Sequence, residues 1–222
     1  MVRRNRLRKL GQGPNKKSRL KRTYNFDDRK TVMESIKKST TRDVAELERD
    51  ITYGVDFYRA KMKTGEEYVI FKTMNDAIEY AEAQVKDNLL SEPELFNQDW
   101  LQHHVDGKRM ASEFRSDIEN QKYEHIKDDP ESFNLTKEDA EEENEAFQQM
   151  VNAEVENELG DIEIDPVSYL KEFGMESKIV DYIDVEKASK DAVVTDGFAH
   201  FIATYDGDYT ETDEAFIVMR TN

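Results

Sequence analysis

VDFYRAKMKTGEEYVIFKT, residues 55–73, is the stretch on which the fold turns. Val55-Asp56-Phe57-Tyr58-Arg59 alternates in polarity, and Tyr68-Val69-Ile70-Phe71 is a second run of β-favouring residues. Between them Lys63-Thr64-Gly65-Glu66 supplies a reversal, so the pair reads as a β-hairpin. The apolar period then changes from two to 3.6. Ala77, Ile78, Ala81, Val85 and Leu89 fall on one side of a helix that Asn75 can cap, with Glu79 near its first turn, and Ser91 to Pro93 ends it. Strands feeding an amphipathic helix indicate an α+β fold.

Upstream, Asp28 to Ser39 suits a short helix. Thr40 or Thr41 then opens another through Val44, Leu47 and Ile51, spaced as on a helix and stopped near Gly54. Downstream, Trp100, Leu101 and Val105 mark a short helix, and Asp106 caps the next, with Met110, Ala111, Phe114 and Ile118 inward. Residues 124–134, with Asp128, Asp129, Pro130 and Asn134, read as a surface connection. Thr136 with Asp139 has the capping-box spacing and opens one very acidic helix to about Leu159, stopped by Gly160. Ile162 and Ile164 alternate with acids as in a short strand, and Asp165-Pro166 is a cap with a first-turn proline. Tyr169, Leu170 and Phe173 face inward, Asp184 caps a helix to about Thr195, Phe198 to Tyr205 is a short apolar element, and Ala215 to Met219 is a last strand. The expected organisation is helix-rich α+β. A disordered basic arm and linker (1–39) leads to a hairpin-and-helix domain (40–123), a connection with the acidic helix (124–160), and a small α+β C-terminal domain (161–222).

The 222 residues are 37% hydrophobic and 36% charged, well above the usual quarter of charged positions, so long solvated helical faces are expected. Cysteine is absent, which rules out disulfides and thiolate metal sites. No long apolar run and no apolar stretch behind the basic N-terminus suggests a membrane segment or signal peptide, and the expected location is the host cytoplasm or a virion.

The net charge of -17 conceals a segregation. Residues 1–24 carry Arg3, Arg4, Arg6, Arg8, Lys9, Lys16, Lys17, Arg19, Lys21 and Arg22 with no acid, a net of +10. The remainder holds 22 basic and 49 acidic residues, a net of -27. With Gly11, Gly13 and Pro14 and only four aliphatic residues, the arm is expected to be disordered when free. Its ten cations suit phosphates, through counterion release, or an acidic protein surface. A solubilising tail, or an arm lying on the acidic body, is the plainer account.

For the body, Glu138, Asp139, Glu141, Glu142, Glu143 and Glu145 are the candidate contacts to a protein partner with a basic surface. A solvated helix face is the bland alternative. His103, His104, Asp106, His125, His200, Asp206 and Asp208 lack the spacing of a zinc or calcium site. Paired carboxylates mean little among 49 acids, and no nucleophile or phosphate-loop motif occurs. The expectation is therefore a non-enzymatic binding protein without metal or cofactor. A carboxylate hydrolase using a divalent cation is the enzymatic alternative.

Two segments resemble each other. Trp100-Leu-Gln-His-His-Val-Asp106 and Ile179-Val-Asp-Tyr-Ile-Asp184 are each a short apolar helix ending at an aspartate that caps the next helix. Residues 179–196 also resemble the segment near the end of the ArdA antirestriction proteins, at Tyr182, Ile183, Asp184, Glu186, Ala188 and Asp191. The stretch from Asp196 through Tyr205-Asp206-Gly207 to Arg220-Thr221-Asn222 resembles the ends of small acidic phage proteins. The resemblance implies a phage-type accessory protein inhibiting a host DNA-acting enzyme by mimicking nucleic acid. The basic arm departs from that pattern and fits equally a structural protein of a virion or ribonucleoprotein particle.

Overall fold

The computed structural model describes residues 25–222, so the ten cations of the arm lie outside the described residues. After Phe26 the chain forms helix α1 (Arg29–Thr40), then an antiparallel meander of β1 (Val44–Thr52), β2 (Val55–Met62) and β3 (Glu67–Phe71). Helices α2 (Met74–Ser91), α3 (Gln98–Gln102), α4 (Gly107–Asp128), α5 (Lys137–Glu141), α6 (Glu145–Ile164), α7 (Pro166–Glu172), α8 (Ile179–Tyr182), α9 (Val185–Asp196) and α10 (Phe198–Ile202) come next. The strands β4 (Tyr209–Glu211) and β5 (Ile217–Arg220) complete one sheet of order β1-β2-β3-β5-β4. The fold is helix-rich α+β.

Residues 44–52 are a strand and not the expected helix. Tyr53 and Gly54 both have positive φ, +55° and +78°, the backbone of a two-residue type I′ reversal that sets Thr52 opposite Val55. Once that turn forms, β2 satisfies one edge of β1 along its length, whereas an isolated nine-residue helix is marginal. The helical spacing of Val44, Leu47 and Ile51 carries no burial, since only Leu47 is buried and Ile51 is 69% exposed.

The three central strands, β2, β3 and β5, are covered on both faces. Tyr58, Ala60, Met62, Ile70, Phe216 and Val218 pack with Phe26, Leu47 and the α1 residues Val32 and Ile36. Apart from the exposed Met33 the rest of α1 is polar, so these two fully buried side chains, worth about 1.5–3 kcal/mol each, together with Phe26 hold it down. Phe26 meets Tyr58 and Phe216 edge-on at 5.1 and 5.2 Å. On the other face Val55, Phe57, Val69, Phe71, Ile217 and Met219 join one cluster with the buried sides of the helices. The last strand pairs with β3, so the segment after residue 161 completes the sheet that the meander begins.

Other expectations shift for local reasons. Thr73, not Asn75, caps α2, accepting from the Asp76 amide at 3.2 Å. Residues 124–128 continue α4, because Ile126 extends its buried side. The capping box at Thr136 and Asp139 forms, but its helix stops at Glu141. Glu143 takes φ +49°, and Asn144 starts α6 by accepting from the Phe147 amide at 3.1 Å while donating to Asp139 at 2.6 Å. Gly160 lies inside α6, and Ile162 extends the buried row of Phe147, Val151, Val155 and Leu159, so no strand forms at 162–164. Phe173, expected inward, is 47% exposed.

Gly107 opens α4 against the end of α6. A Cβ there would lie 2.9 Å from the Glu163 carbonyl oxygen and 3.0 Å from that of Ile162, both backbone atoms that cannot swing aside. Gly107→Ala is expected to cost about 1–3 kcal/mol by overpacking, read as a lower urea midpoint with an unchanged slope.

Candidate functional site

The charge of the body follows its architecture. Residues 25–72, which form α1 and the meander, hold ten acids and ten bases and are neutral. Residues 73–196, which form α2 to α9, hold 34 acids against 11 bases, a net of -23. A cut at Tyr24 alone leaves this second boundary hidden. Counting across the hairpin-to-helix transition would have shown it.

The six acids expected to meet a basic partner divide in two. Glu138, Glu141, Glu142 and Glu145 are exposed around the junction of α5 and α6. Asp139 is committed to the fold, accepting from the Thr136 amide at 2.8 Å, its hydroxyl at 2.6 Å and Asn144, and these bonds hold its carboxyl below the usual range. Glu143 accepts from Lys127 at 2.6 Å and from the Tyr123 hydroxyl, both on α4, and the lysine chiefly pulls its carboxyl down. The junction is thus pinned from below and presents four carboxylates outward.

Other acids of the layer serve helix starts. Asp106, Asp165 and Asp184 each accept, at 3.0 Å, the amide three residues on, at Arg109, Ser168 and Lys187. Such a cap contributes about 1 kcal/mol and sets negative charge against the positive end of the helix dipole.

The two similar segments meet. Val105 and Ile183 form an antiparallel bridge, and the Asp106 amide donates to the Tyr182 carbonyl at 2.9 Å. The two capping aspartates therefore come directly after the bridge, one on each strand. Around it, Arg109 lies over the Tyr182 ring at 5.6 Å and bonds Glu113 at 2.9 Å. The residues that carry the resemblance have structural tasks: Tyr182 and Ala188 are buried, Ile183 is in the bridge, Asp184 caps, Glu186 pairs with Lys86, and Asp191 faces His104 at 3.9 Å.

The histidines are dispersed. His103 is bonded to the Asp99 carbonyl, His125 sits edge-on to Phe133, and His200 is exposed beside Phe201. Asp206 accepts the Asp208 amide at 3.1 Å within a turn. Among the described residues no three His, Asp or Glu side chains converge as a metal site. The depressions found there are shallow, about 210 to 270 Å³, and most have charged linings; one lies over Glu46, Glu48, Arg59, Lys61 and Glu67 on the uncovered part of the sheet.

His104 is the one histidine packed inside, its side chain 8% exposed and its ring 4.4 Å from Trp100. Burial is the main cause that lowers its pKa below the ordinary value, opposed by Asp191 and reinforced by Lys187 and His103. The unfolded chain therefore takes the proton more readily. His104 contributes stability that is fully present above its unfolded pKa, about 6.5, and lost as pH falls through the lower folded value. Between pH 7 and 5 the melting temperature is expected to fall in the native chain and to fall less in His104→Gln.

No family model, no curated protein and no solved structure matches the chain.

Proposed function

We propose that the chain is a non-enzymatic, phage-type accessory protein that joins macromolecules through two oppositely charged surfaces. The arm of +10 contacts nucleic acid or an acidic surface, and the helical layer of -23 contacts a basic protein. The observation that carries this reading is the segregation itself, with a neutral sheet unit between the two charged parts. A field of one sign over a whole layer repels nucleic acid, steers basic partners in, and costs stability through self-repulsion. Inhibition of a host DNA-acting enzyme is the most concrete version, with Glu138, Glu141, Glu142 and Glu145 standing in for phosphates. Its setting is the host cytoplasm.

The test is recovery of partners from host cells with and without nuclease. With the ten arm cations replaced by Gln, nucleic acid is expected to be lost and the protein partner kept. With Glu138, Glu141, Glu142 and Glu145 replaced by Gln, the reverse is expected, and duplex DNA should displace the partner from the native chain. Retention of the same partners by both variants removes the proposal. Recovery of assembled particles only, and only with the arm intact, favours a virion or ribonucleoprotein structural role.

A further inference from the structure

We propose that the outer face of α1, centred on Lys30, Lys37 and Lys63, holds the phosphate backbone of nucleic acid, and that the sheet keeps this nucleic acid off the acidic layer. The face continues the footprint of the arm onto the body, and rests on the reading of that arm as a ligand of nucleic acid.

The first observation is charge by element. Helix α1 carries Arg29, Lys30, Lys37 and Lys38 against Glu34, a net of +3, whereas each helix from α2 to α10 is neutral or negative. Helix physics explains half of this. Lys37 and Lys38 lie in the last turn, where cations suit the helix dipole, but Arg29 and Lys30 lie in the first, where the dipole disfavours them.

The second is position. Lys30, Met33, Glu34 and Lys37 recur at helical spacing on the side of α1 away from the buried Val32, Ser35 and Ile36, and all four are exposed. With Val44 and Lys63 they border an open depression of about 270 Å³. Lys37 and Lys63 share one carboxylate, Asp43, at 2.7 and 3.8 Å and stay 66% and 68% exposed, so one positive charge is left over and both amines reach solvent. Lys38 belongs to the other flank, where it and Ser35 bond Glu214. The face offers a protein partner little to bury, since Met33 is its one exposed large apolar side chain, whereas phosphate needs only charge.

The third is insulation. Helix α1 packs on the sheet face of Tyr58, Ile70 and Val218, while α2 to α10 close on the opposite face, that of Phe57, Phe71 and Met219. Packed layers stand roughly 10 Å apart, which puts about 20 Å between α1 and the layer of -23. That is more than twice the screening length of ~8 Å at physiological salt, so the layer's repulsion is largely screened at α1.

Binding of a short DNA duplex of arbitrary sequence to the full chain, followed as salt rises, is the test. Each phosphate contact contributes about 0.9 to the slope of log affinity against log salt. K30Q/K37Q/K63Q is expected to lower that slope by about 2–3, and affinity at low salt by about tenfold or more. K108Q/K171Q/K190Q, which removes three exposed lysines of the acidic layer, should leave the slope as it is. A native slope in the first variant, or an equal fall in the second, overturns the proposal. So does an equal loss of polyglutamate binding in the first variant, which makes an acidic protein the occupant, or a native chain that binds no duplex. The arm is judged separately, by the variant with its ten cations replaced: native affinity there removes the reading of the arm, and the slope of K30Q/K37Q/K63Q still decides α1.

Discussion

The pairing of β3 with β5 is the constraint on which the rest depends. Phe71 stands opposite Ile217 and Tyr68 opposite Arg220, so two strands separated by some 150 residues of chain occupy neighbouring places in one sheet. Everything from α2 to α10 is an excursion that leaves the sheet after Phe71 and must return at its other side. The helices have one apolar surface on which to close, the face of Val55, Phe57, Val69, Phe71, Ile217 and Met219. Chain closure of that length costs entropy before any contact repays it, so the excursion has to bury a large core of its own. It does, in one cluster from Val55 to Met219.

The acidity of the helical layer is partly a product of the same architecture. An excursion of many short helices has many starts, and each start leaves amides that an aspartate or asparagine satisfies. Asp106, Asp165 and Asp184 are in that position. Four cations of the layer pair with acids of another element: Lys86 with Glu186, Arg115 with Glu156, Lys122 with Glu158, and Lys127 with Glu143. Each pair is at least partly exposed, so water screens it and it adds little to stability by itself. Their value lies in relieving a field of one sign, and what remains on the surface, as at Glu138, Glu141, Glu142 and Glu145, is unrelieved charge.

What was legible in the sequence is what depends on near neighbours. The caps at Asp106, Asp165 and Asp184, the box at Thr136, and the hairpin around Gly65 are all set within a few residues, and all form. Residues 44–52 form a strand because a strand is defined by its partner: the reversal at Tyr53-Gly54 sets β1 against β2, a pairing that the helical spacing of Val44, Leu47 and Ile51 does not reveal. The split between α5 and α6 is similar. Nothing in Glu141-Glu142-Glu143 announces a break, which comes from Asn144 reaching back to Asp139 and from Lys127 and Tyr123 reaching across from α4. The same long-range contacts decide which acids of the candidate site face solvent.

The meeting of the two Asp-capped segments bears on how short motifs should be weighed. In each segment the residue before the capping aspartate, Val105 in one and Ile183 in the other, lies on the connection between two helices. The two connections meet in an antiparallel bridge, where the Asp106 amide donates to the Tyr182 carbonyl at 2.9 Å. Beside the bridge Arg109 lies over the Tyr182 ring and His104 faces Asp191. The two similar segments thus share one structural task, each ending at an aspartate that caps the next helix. The proposed interaction therefore rests on the exposed Glu138, Glu141, Glu142 and Glu145, whose carboxylates cap no helix start, and not on these residues.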